Sequence, residues 1–237
     1  AAIERHDPPV QQLLGREHLA AEVVDHEDAV VGLHLHRREV HAASLLVREV
    51  EHAGRVVGAA QRETRELPVQ PALHYIAVTA QGEPGAAGKY RLRMPFKQID
   101  TVLAWAKEID AIVFLDIQVG LGSLQEEIPE LVNYLKMPNV HLGIDPEFSM
   151  KGGQKPGAAI GTFDAADINY ATNYLSKLVK ENNLPPKILV VHRFTQPMIK
   201  DYKSIRKTPE VQIVMHMDGW GEPPKKKGTY QFFIKAE

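Results

Sequence analysis

This sequence predicts an α/β fold built on parallel β/α repeats, and three observations carry that prediction. Short apolar runs rich in β-branched residues recur at 111–120, 140–147, 188–193 and 211–219, the pattern of strands buried on both faces. Segments with helical apolar spacing lie between them, which implies right-handed crossovers and a parallel sheet. Each run also ends in polar residues: Asp116 with Gln118, Asp145 with Glu147, His192 with Arg193, and His216 with Asp218. Polar tips on at least four successive strands favour a TIM-barrel-like arrangement, because an open doubly wound sheet concentrates its site at one switch point.

Composition bounds the alternatives. The 237 residues suffice for one large α/β domain or two smaller ones. A formal net charge of −2 with 24% charged residues offers no basic stripe, so nucleic acid is not an expected partner. No window approaches about eighteen consecutive apolar residues, so no membrane-spanning segment is expected. The N-terminus lacks the signal-peptide pattern, as a processed chain also would. The absence of cysteine excludes disulfides and thiolate metal sites. Residues 1–88 contain eight arginines and no lysine, whereas from Lys89 onward there are sixteen lysines and four arginines. The shift suggests a boundary: an irregular N-terminal segment at 1–70, which either supplies missing barrel strands or leaves the barrel incomplete, and a β/α barrel region at 71–237.

Taken in order, Pro8-Pro9 suggests a helix that starts near Pro9 and ends before Asp25. Loosely alternating stretches at 29–36, 43–50 and 55–58 read as short strands. His74 to Ala80 is a strand, and the glycine-rich loop at 81–88 lacks the spacing and the Gly-Lys-Ser/Thr ending of a phosphate loop. Pro95 opens a helix with Phe96, Ile99, Leu103 and Ala106 on one face. The central strand follows from Ala111. Ser123 with Glu126 forms a capping box for a helix running to about Lys136. Beyond the next strand, residues 149–162 make a long loop, and Asp164 with Asp167 caps a helix bearing Ile168, Ala171, Leu175 and Leu178. Leu184-Pro-Pro186 ends it. After the strand at 187–194, a short helix is expected near 197–205, then the strand reaching His216 and Asp218, and a last strand beginning at Tyr230.

Asp116, Asp145, Glu147 and Asp218 are the candidate catalytic residues. Two carboxylates flanking a sugar permit glycoside hydrolysis, one protonating the leaving oxygen while the other attacks or activates water. Glu147 is the expected acid, since burial against Phe148 would raise its pKa, and Asp145 or Asp218 is the expected second carboxylate. The simpler reading of any single strand-end acid is a helix cap or a loop hydrogen bond. Gln118, His192, His216 and Trp220 are candidate substrate-binding residues, Trp220 as a sugar-stacking platform. His216 and Asp218 share a strand face, and with Asp116 they could instead hold a divalent metal for phosphodiester hydrolysis. The spacing carries no metal signature, so neither metal nor cofactor is assigned. His34, His36 and His41 are read as surface residues for the same reason.

Tyr75-Ile-Ala-Val-Thr-Ala-Gln-Gly82, Phe114-Leu-Asp-Ile-Gln-Val-Gly120, His141-Leu-Gly-Ile-Asp-Pro-Glu-Phe148, Leu189-Val-Val-His-Arg-Phe-Thr195 and Met217-Asp-Gly-Trp-Gly221 together resemble a largely uncharacterised family of bacterial secreted or lipoprotein-type proteins. The likeness spans residues 72–237. It implies a glycosidase-like TIM barrel and an extracytoplasmic location. The expected function is therefore a carbohydrate-active hydrolase with a carbohydrate or other small polar substrate. The alternatives are a metal-dependent phosphodiesterase and a non-catalytic glycan-binding or envelope protein.

Overall fold

The computed structural model describes residues 19–23, 30–35, 70–217 and 222–233. In chain order its elements are β1 (Leu19–Val23), β2 (Val30–Leu35), β3 (Gln70–Ala80), β4 (Arg91–Arg93), α1 (Phe96–Glu108), β5 (Ile112–Ile117), α2 (Leu124–Glu127), α3 (Val132–Leu135), β6 (Val140–Ile144), β7 (Phe163–Asp164), α4 (Ala165–Asn182), β8 (Lys187–His192), β9 (Ile199–Lys200), β10 (Val211–His216) and α5 (Pro223–Phe233). The main sheet runs β1-β2-β3-β5-β6-β8-β10, with β4 paired to β3. Neighbours from β2 to β10 are parallel, and β1 joins β2 antiparallel. From β3 onward each new strand is added on the same side, without the reversal of a doubly wound sheet.

Side-chain alternation divides the sheet into two faces. Val113, Leu115 and Ile117 of β5, with Leu142 and Ile144 of β6, pack against Ile99 and Val102 of α1 and Ile168 and Leu175 of α4 in one buried core. The other face is poorer in apolar groups: Ala72, Phe114 and Val190 form a small cluster, and His74, Asp116, His141 and His192 lie beyond it. Strands β3 and β8 are three positions apart, which on a flat sheet is ~14 Å. Their His74 and His192 rings are nonetheless 5.3 Å apart. The sheet is therefore strongly curved, with the polar face concave.

Both expected capping boxes are present. Ser123 Oγ accepts from Glu126 N at 3.3 Å, and Glu126 Oε2 accepts from Ser123 N at 3.2 Å. Asp164 and Asp167 cap α4 in the same reciprocal way, and Lys151 bridges the two carboxylates. Gly120 has φ 58°, and a Cβ there would collide with the Lys89 carbonyl, so only glycine lets the 81–90 loop lie against the end of β5.

Four local expectations are corrected. Leu19–Val23 is a strand rather than part of a helix from Pro9, since pairing with β2 outweighs a weak helical pattern. The helix expected from Ser123 to about Lys136 is broken into α2, a 3-10 turn at Ile128–Leu131 and α3, with Pro129 removing an amide donor where the α-helix stops. Residues 197–205 form two 3-10 turns around β9, with Asp201 at φ 53° interrupting any helix. The last strand expected from Tyr230 is instead the end of α5. Pro223 and Pro224 occupy its first turn, where missing amide protons cost nothing, and the Glu222 carbonyl accepts from Lys225 N at 2.9 Å. The strands expected at 43–50 and 55–58 lie outside the described residues.

Candidate functional site

The polar cluster arises from alternation along strands whose other face is committed to the helices. Leu115 and Ile117 face the core, so Asp116 between them points into the concave side. His74 reaches it from β3 and His192 from the last position of β8. Asp116 Oδ2 stands 3.4 Å from His74 Nε2 and 3.2 Å from His192 Nε2, and all three side chains are at least 94% buried. Burial pushes the Asp116 carboxyl up, but His192 first and His74 second outweigh it and hold the group well below the usual carboxylate range.

A glycine makes this meeting possible. Gly143 pairs with Asp116 on one side and Val190 on the other, so it lies on the concave face between β5 and β8. A Cβ at 143 would collide with Asp116 Oδ1 and come within 3.2 Å of His74 Nε2. The gap is thus filled by functional groups reaching across it.

The other histidines continue the layer. His192 and His216 pack edge to face with centroids 5.1 Å apart, and Phe114 lies between His74 and His141, 5.9 and 5.4 Å from their rings. His141 Nδ1 accepts from Ile188 N at 3.1 Å, so the imidazole takes the place of a ladder carbonyl and carries its proton on Nε2. Burial, aided by the nearby Lys187 charge, lowers His141 from 6.5 to about 4. At the amino end of β8, the fully buried Lys187 donates to the carbonyls of Met137 and of Val140, the latter at 2.9 Å. Burial lowers that amine to about 8.

The sequence-predicted residues separate into groups. Asp116, His192 and His216 meet in the cluster. Gln118 and Asp145 form a framework just beyond it: Gln118 Oε1 accepts from Ala80 N at 3.0 Å, and its Nε2 donates to Asp145 Oδ2 at 3.1 Å. Asp145 Oδ1 accepts from Glu147 N at 3.0 Å, capping the 3-10 turn Pro146–Phe148 that carries the half-buried Glu147. Asp218 and Trp220 lie outside the described residues, as do His36 and His41. Arg193 points away from His192, with its guanidinium 5.2 Å from the Tyr202 ring and bonded to the Gln196 carbonyl.

Sequence reasoning missed His74 and His141 as members of the layer. The signal was present: four strands each carry one histidine among apolar neighbours, at 74, 141, 192 and 216. Comparison with known protein families, characterised proteins and solved structures yields no match.

Proposed function

We propose that this chain is a hydrolase of TIM-barrel type that acts on carbohydrate at the carboxyl ends of its parallel strands. The observation that supports this reading is convergence: β3, β5, β8 and β10 all send polar side chains to one end of one concave face, and the Gln118–Asp145 framework of β5 and β6 borders it. A continuous one-way strand order and strong curvature accompany it, both properties of β/α barrels. Glu147 is the general acid, presented on a turn that Asp145 holds in place. Asp145 thereby becomes a positioning residue, and Asp218, two residues past His216, is the second carboxylate.

Glu147→Gln should lower turnover of an aryl-glycoside panel by about 10²-fold or more while leaving the thermal midpoint in place. Unchanged turnover removes Glu147 from the reaction. A second reading, metal-dependent phosphodiester hydrolysis, is favoured by the contact of His74 and His192 with one Asp116 oxygen. Turnover of a bis-aryl phosphodiester that chelator abolishes would replace the carbohydrate assignment. Glycan retention with no product from either substrate class would favour the non-catalytic binding role.

A further inference from the structure

We infer that His74, Asp116 and His192 form the binding site for one divalent transition ion, with Zn²⁺ the best match. Their ligand atoms all lie within 4.8 Å of one another, and the two imidazole-to-carboxylate separations are 3.2 and 3.4 Å. Donors about 2.0–2.1 Å from a tetrahedral ion stand ~3.3 Å apart, so these separations are those of neighbouring corners of a coordination shell. Two nitrogens and one carboxylate oxygen suit zinc or a neighbouring first-row ion better than magnesium or calcium, which prefer all-oxygen shells. Three protein donors also leave a position open, as in catalytic rather than structural zinc sites.

The rival account is a His–Asp–His cluster that merely ties strands together. One observation weighs against it. Asp116 Oδ1 is buried and has no hydrogen-bond partner among the described residues, an expensive state for a carboxylate that a cation alongside would offset. Gly143 lets the donors close to these separations, since a Cβ there would intrude on both Asp116 and His74. The donors also stand on three different strands of one sheet, which fixes their separations better than loops would.

The site was invisible to spacing because its ligands are 42 and 76 residues apart in the chain and are joined only by register and curvature. The inference stands independently of the carbohydrate assignment, and the two fail separately. A bound ion with fully active Glu147→Gln would overturn that assignment alone.

The test is metal uptake by the full chain after chelator treatment, using Zn²⁺ as the probe and following it by calorimetry and elemental analysis. Seven histidines precede residue 70, so background uptake is expected and the informative quantity is a difference. The wild type should take up one equivalent more than Asp116→Asn or His192→Gln, and His34→Gln should leave that equivalent in place. Uptake unchanged by both ligand variants overturns the site. Should circular dichroism show those variants unfolded, Co²⁺ added to a full chain whose seven histidines before residue 70 are replaced by glutamine decides. Visible bands of a four- or five-coordinate nitrogen–oxygen site support the inference, and a purely hexa-aquo-like spectrum overturns it.

Discussion

The two faces of the sheet are made from alternate residues of the same strands, yet they obey different rules. Leu142 is buried among aliphatic side chains beneath the helices, where any residue of the right volume and apolarity would serve. Gly143, its neighbour, stands on the concave face where no side chain at all is admissible. One face is specified by volume and the other by the positions of particular atoms. Changes on the helical face should therefore appear as stability alone, and changes on the concave face also as pH dependence or altered site geometry.

The largest stability effect should come from Leu142→Ala, a loss of about 3–4 kcal/mol in denaturant unfolding with metal uptake unchanged in the folded fraction. Equal damage to uptake would mean that the faces are not separable. His141 gives the next largest effect, through pH. Its folded pKa, about 4, lies below the ordinary 6.5, so the unfolded chain takes up the proton first. This contribution is complete above about pH 6.5 and is lost as pH falls towards 4, ~3 kcal/mol in all. Urea midpoints between pH 7 and 4.5 should show that slope in the wild type and a shallower one in His141→Gln; parallel curves would take the assignment away. Gly143→Ala should cost the least stability, about 1–3 kcal/mol, but should remove the ion-binding equivalent. Retained uptake in that variant would show that the glycine is not needed and would sharpen the contrast in favour of the ligands alone.

Much of the fold was legible because it is written locally. The apolar runs of β5, β6, β8 and β10, the faces of α1 and α4, and the two capping boxes depend on residues within a few positions of each other. The aromatic run near Tyr230 looked like a strand because β propensity mostly reflects packing partners, and Pro223-Pro224 upstream set the helix instead. The site was legible only in part. Asp116, His192 and His216 could be placed at strand tips, but His74 lies within its strand rather than at its end, paired with Phe114 and two positions before Ile76, the partner of Asp116. Nor could spacing reveal that Asp145 and Gln118 bond to one another, since that contact depends on two loops leaving adjacent strands.

The strand order has a consequence for how the chain comes together. From β3 to β10 every strand pairs with the one before it in the path, across a single crossover, so each finds its partner among residues already synthesised. Loop-closure entropy is then met in small instalments, and folding can advance from the amino end as the chain emerges from the ribosome. Asp116 would be in place before His192 exists. The buried carboxylate must wait through two further strands, β6 and β8, before its second imidazole arrives, and it is Gly143, on the first of those strands, that leaves the way across open.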